Sequence, residues 1–196
     1  MRGLFLPFTP NGKATELIAI EVKDRLGLEP SAAVDPLAIL PCVPARLLDP
    51  RELWEFCPET AQALFVQQAK HWSGIGYGQS PHDGASLILL NPSHSMTRQR
   101  ATLMEEIVHI MRGHPKSTII RPVGKLAPGR TYDAQVEDEA FTVGAACLLP
   151  YPTIFHAIRD SHETVDSIAR RFGVSEQYVQ FSNQARGPRA RLPKAM

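Results

Sequence analysis

The sequence predicts a mostly helical α+β domain with a small antiparallel sheet and a helix-turn-helix-like pair near its C-terminal end. Three observations carry that prediction. Two long stretches, 95–113 and 136–149, place apolar residues at helical spacing between recognisable caps and breakers. Two short strand-like runs, WSGIGYG at 72–78 and ASLILLN at 85–91, flank the turn-rich QSPHDG, which is the pattern of a hairpin. The segment ETVDSIARRFGVSEQYVQFSNQ at 163–184 divides at Gly173 into two short helices, with Ser175 capping the second.

Each element follows from its own signals. Residues 14–28 set Ile18, Val22 and Leu26 four apart beside Leu17, an amphipathic helix stopped near Gly27 and Pro30. The stretch 30–58 is punctuated by prolines, and VPARLLD at 43–49 supplies one short strand. PETAQALFVQQAKHW at 58–72 reads as a helix with proline in its first turn. After the hairpin, Ser95 caps a helix of roughly 17 residues that ends at Gly113, with Pro115 beyond it. A loop rich in Pro, Gly, Lys and Arg covers 114–133. A second helix runs over VEDEAFTVGAACLL to Pro150, and 152–160 forms a shorter one.

Composition limits the function classes. With 196 residues, 43% hydrophobic and 21% charged, the chain is of ordinary globular make-up and is expected to form one domain over 1–185. Its net charge of +1 excludes the strongly basic profile of a dedicated nucleic-acid binder. That average conceals a tail, 186–196, with Arg186, Arg189, Arg191, Lys194 and no acid. This tail reads as a flexible basic terminus. No apolar run approaches the ~18 residues of a membrane span. The N-terminal MRGLFLPFTPNGK, broken by two prolines, does not read as a signal peptide. The three cysteines form no CxxC pair, which argues against a disulfide framework or a thiolate zinc site and makes the cytoplasm the expected compartment.

The 95–113 helix carries the chemistry. At ~100° per residue, Leu103, Met104, Ile107, Val108, Ile110 and Met111 cover most of its circumference. Its polar residues Thr102, Glu105, Glu106, His109 and Arg112 share one arc. Glu105 lies four residues and Glu106 three residues before His109, so both carboxylates can neighbour one imidazole. Two carboxylates brought together need a cation, either a metal or a basic side chain such as Arg112.

The run LILLNPSHSMTRQRATLMEEIVHIMRGH resembles the core of the ImmA/IrrE family of metallo-endopeptidases, in which an Asn-containing turn leads into a helix bearing H-E-x-x-H. EAFTVGAACLLP at 139–150 is similar to the family's later motif, E-A-x-x-x-A-A-x-x-L-x-P, and DSIARRFGVSEQYV resembles its next segment. The likeness spans about 85–184 and implies a zincin-like fold. It further implies metal ligands at Glu105, His109 and Glu139, and a catalytic Glu106 that takes a proton from water. This chain departs from the family at position 105, where glutamate replaces the first histidine and the motif becomes E-E-I-V-H. A centre with more oxygen and less imidazole shifts from Zn²⁺ toward harder ions such as Mn²⁺. The implied partner is a protein of repressor or antitoxin type, either cut or, with a degenerate centre, bound without hydrolysis.

Other residues have plainer readings. His114 fits a helix-terminal histidine favoured by the helix dipole, with ligation past the helix end as the alternative. His94 suits a hydrogen-bonding turn or help near the site, whereas His71, His82, His156 and His162 have no partners by spacing. Cys147 reads as core, and Gly144, Ala145 and Ala146 allow close helix approach. GIGYG lacks the G-K-[ST] of a phosphate loop. The 163–184 pair has the cadence of a DNA reader, but its second helix carries no Lys or Arg. Core packing is therefore its expected use, and DNA binding would need Arg170, Arg171 and the tail.

Overall fold

The computed structural model describes residues 5–80, 83–115, 119–120, 129–130 and 133–186. Of the 186–196 tail, Arg186 ends the last helix and 187–196 lie outside the described residues, as do most of the 114–133 loop and His82.

In chain order, α1 (Pro10–Arg25) is followed by α2 (Pro36–Ile39), a 3-10 turn at Leu40–Cys42, and β1 (Ala45–Leu47). Then come α3 (Pro50–Phe56), α4 (Pro58–Gln62), a π-helical turn at Ala63–Gln67, β2 (Gly74–Gln79) and β3 (Ser86–Leu90). The second half comprises α5 (Met96–Arg112), the two-residue strands β4 (Ile119–Ile120) and β5 (Gly129–Arg130), α6 (Ala134–Leu148), α7 (Tyr151–Arg159), α8 (Val165–Phe172) and α9 (Glu176–Arg186).

Strand order is β1-β3-β2. The expected hairpin is present as antiparallel β2 and β3, with its register shifting between Gly76 and Gln79. The sheet is nevertheless mixed, because β1 pairs parallel to β3. That pairing requires a crossover, and α3, α4 and β2 supply it. Both faces of β3 are covered, which explains its unbroken apolar run. Ile88 joins the main core with Leu103, Met104, Ile107, Val108 and Val143. Its neighbour Leu89 points the other way, to Leu53 and Ala61 with Phe65 and Trp72 packed against them.

Two sequence expectations change in detail. The proline-rich stretch contains α3, whose start is a capping box: Asp49 and Glu52 reciprocally satisfy backbone donors, with Pro50 in the first turn. On α1, Val22 is buried but Leu17 is exposed, and the buried set includes Glu16 and Lys23. These polar groups have uses: Glu16 accepts from the Tyr151 backbone N–H at 3.1 Å, and the Lys23 ammonium donates to the Pro30 carbonyl. They tie α1 to the start of α7 and to the loop that follows α1.

The paired helices at the C-terminal end form as expected around Gly173, whose φ of 63° is the left-handed cap. Tyr178 and Val179 of α9 are buried, and α9 packs on α1 and α6. Arg170 pairs with Asp166, and Arg171 with Glu163 at 2.5 Å.

Candidate metal centre

The centre begins at the turn between β3 and α5. Asn91 is buried and fully engaged there: its amide donates to Ala69 O (2.6 Å) and Trp72 O (2.8 Å), and its Oδ1 accepts from Ser93 N and Ser93 Oγ. That network fixes where the chain leaves the sheet. Ser95 then caps α5 from its side chain, and Gly113, at φ 67°, ends the helix in the left-handed conformation. Between these caps α5 buries Thr102, Leu103, Met104, Ile107 and Val108, leaving Glu105, Glu106 and His109 partly exposed on its other side.

Helix α6 completes the arrangement. Gly144 lies against the backbone of Met104 and Glu105, where an added Cβ would sit 3.5 Å from Glu105 N. Farther along the pair, Glu139 meets Arg112, so α5 and α6 run antiparallel. The small residues at 144–146 do allow the close approach that a shared site needs.

Glu105, His109 and Glu137 come together, each offering one ligand atom, with all three atoms within 4.8 Å of one another. The His109 Nε2 is 3.7 Å from Glu137 Oε2. The third carboxylate here is Glu137, whereas the family resemblance pointed to Glu139. Two residues on a helix differ by about 200°, so the two glutamates serve different neighbours. Glu139 is engaged by Arg112 Nε at 2.9 Å and His114 Nε2 at 3.2 Å. Burial works to raise the Glu139 pKa, but the hydrogen bonds and charges of Arg112 and His114 outweigh it and hold the carboxyl below its usual range. Arg112 also reaches Glu21 of α1 at 3.5 Å.

Glu106 takes a third direction. Its carboxylate lies along β2: Cβ atoms added at Gly74 and Gly76 would stand 3.3 and 3.4 Å from its oxygens. The glycines of GIGYG thus leave room for this side chain at the sheet edge. His114 is nearly buried, with a side-chain exposure of 10%, and its Nδ1 faces His109 Nδ1 at 3.1 Å. Burial, and secondarily Arg98, lowers the pKa of His94, whose Nδ1 has no hydrogen-bond partner among the described residues.

Sequence reasoning did not single out Glu137, although a signal existed. Counting two turns back from Gly144 along the face that touches α5 reaches position 137. For His114 the sequence favoured a plain helix-terminal histidine over one folded back past the helix end, and the structure has it folded back onto His109 and Glu139.

The donor set suits a divalent cation. One imidazole and two carboxylates are accepted ligands at ~2.0–2.2 Å, which places ligand atoms about 3.4 Å apart around a tetrahedral ion, close to the 3.7 Å between His109 Nε2 and Glu137 Oε2. The sequence model of the IrrE N-terminal-like domain of peptidase family M78 matches residues 63–182. This match contains β2, β3, α5 and α6, and hence every group of the centre. A comparison with curated proteins finds no match. The matched segment covers more than half of the sequence, and the chain belongs to the IrrE N-terminal-like family of M78 peptidases.

Proposed function

We propose that this chain is a metal-dependent endopeptidase in which Glu105, His109 and Glu137 hold a divalent ion and Glu106 carries the proton. The observation that carries this reading is the convergence of those three side chains, with Glu106 one residue along the same helix and turned toward the sheet edge. When bound, such an ion supplies a polarised water and a Lewis acid for the scissile carbonyl. Glu106 would accept the water's proton and return it to the departing amine, leaving two shorter chains. In the described sheet β2 is an edge strand, so its outer backbone suits an extended peptide laid alongside. The partner that fits the family is a repressor or antitoxin.

Glu105 modifies the chemistry. A second carboxylate would favour Mn²⁺ over Zn²⁺ at this centre, and its charge would weaken the ion's pull on a water. The same residue favours a second reading, a scaffold that holds its partner without cutting it. Metal analysis after loading with Mn²⁺ or Zn²⁺, followed by incubation with a co-encoded partner, separates the two. The enzyme reading expects about one ion per chain, lost in His109→Ala, and cleavage abolished by Glu106→Gln. Stable partner binding with neither metal nor cleavage would establish the scaffold.

A further inference from the structure

Beyond the triad, an unbroken line of polar contacts runs from His109 to Arg112. His109 Nδ1 is 3.1 Å from His114 Nδ1, His114 Nε2 is 3.2 Å from Glu139 Oε1, and that oxygen is 2.9 Å from Arg112 Nε. The edge-on placement of the two imidazoles, at 77°, suits nitrogen-to-nitrogen contact rather than stacking. We infer that His114 and Glu139, anchored by Arg112, are positioning residues that fix the ring and tautomer of His109. The inference rests on the metal-holding reading of His109.

The polarity of the chain follows from its ends. Arg112 can only donate, and an ionised Glu139 can only accept. His114 must therefore present Nε2–H to Glu139, which in a neutral ring leaves a lone pair on Nδ1. His109 must then supply the proton to that contact from its own Nδ1. Its Nε2 is left as a lone pair on the side of Glu137, the form in which an imidazole binds a cation. Every donor in the sequence meets one acceptor, and reversing any single ring breaks the pattern. The arrangement also gives the Glu at 139 a task distinct from that of Glu137, two residues before it. It further explains why His114 is folded back over the helix end instead of projecting into solvent.

The test compares wild type with His114→Leu, His114→Gln and Glu139→Ala, after far-ultraviolet dichroism and a thermal midpoint have established folding. Mn²⁺ and Zn²⁺ affinities are measured by chelator competition. Outer partners of a ligating histidine are worth about 10–100-fold in affinity, so His114→Leu and Glu139→Ala should each weaken binding by about that factor. The double variant should be little worse than either single one, because both interrupt the same chain. His114→Gln retains an acceptor for His109 and a donor for Glu139, and should recover most of the loss. In metal-free protein at alkaline pH, ¹⁵N imidazole spectra should show Nδ1–H on His109 and Nε2–H on His114 in wild type. Mixed tautomers on His109 are expected in His114→Leu.

Folded His114→Leu with wild-type affinity and an unchanged His109 spectrum would overturn the inference. So would a wild-type His109 carrying its proton on Nε2. If wild type takes up neither ion, the metal reading of the centre fails, and the nitrogen spectra alone then decide the hydrogen-bond chain.

Discussion

His94 is an imidazole whose charged form the fold disfavours. Its Nδ1 is buried without an acceptor among the described residues, and burial together with the nearby Arg98 charge lowers its pKa. Unfolded, it titrates near the ordinary ~6.5. Between the folded and unfolded values the unfolded chain binds the extra proton, so this group's contribution to stability is complete above about 6.5 and declines as pH falls toward the folded pKa. Denaturant midpoints measured from about pH 7 to about pH 5 should therefore fall more steeply for wild type than for His94→Gln. Equal slopes would mean that the nitrogen is solvated or paired. Residue chemistry of the same kind separates the two adjacent glutamates of α5. One helical step of ~100° takes Glu105 into the His109–Glu137 cleft and Glu106 to β2.

At the level of elements, β2 and α5 approach so closely that position 74 has no room for a side chain. A Cβ on Gly74 would lie 2.4 Å from Thr102 Cγ2, a short branched group with no long arm to swing away. Gly74→Ala is expected to cost about 1–3 kcal/mol through overpacking. Combining it with Thr102→Ser, which deletes that methyl, should restore most of the thermal midpoint. Absence of rescue would place the strain in the strand backbone. The sequence was informative wherever local signals decide structure. Ser95 and Gly113 bounded α5, Gly173 split α8 from α9, and a short apolar run beside the turn-rich QSPHDG marked β3. It was less informative where a contact is set by a distant partner. Nothing near α1 announces that Glu16 will receive the Tyr151 N–H, 135 residues away in sequence. The parallel pairing of β1 depends on a crossover that spacing alone does not reveal. At the centre, Glu105, Glu106 and His109 stood out because one helix carries them all. The choice between Glu137 and Glu139 depends on the rotation of α6 against α5, which a motif aligned at residue 139 leaves open.

Across the whole molecule, α6 joins the parts, with α5, α1 and α9 all packed against it. The family-matched segment, 63–182, is not the entire core, since Ala19 and Val22 of α1 belong to the main cluster, and Val34 N–H donates to Cys147 O at 2.9 Å. The α8–α9 pair is likewise part of that cluster, through Ile168, Val174 and Val179. It should therefore unfold with the domain, not before it. Ile168 is fully buried, and Ile168→Ala should cost about 2–5 kcal/mol. Both tryptophans of the chain, Trp54 and Trp72, lie on the other side of the sheet, by the second cluster around Leu53, Ala61 and Leu89. Their fluorescence thus reports a region remote from residue 168. In urea, fluorescence and far-ultraviolet dichroism should give coincident transitions in wild type, and both should shift by the same amount in Ile168→Ala. An early loss of helical signal with the tryptophan transition unmoved would instead make α8–α9 a separable module. Coincident shifts would place that pair in one cooperative unit with α6, which presents Glu137 and Glu139 and against which α9 packs.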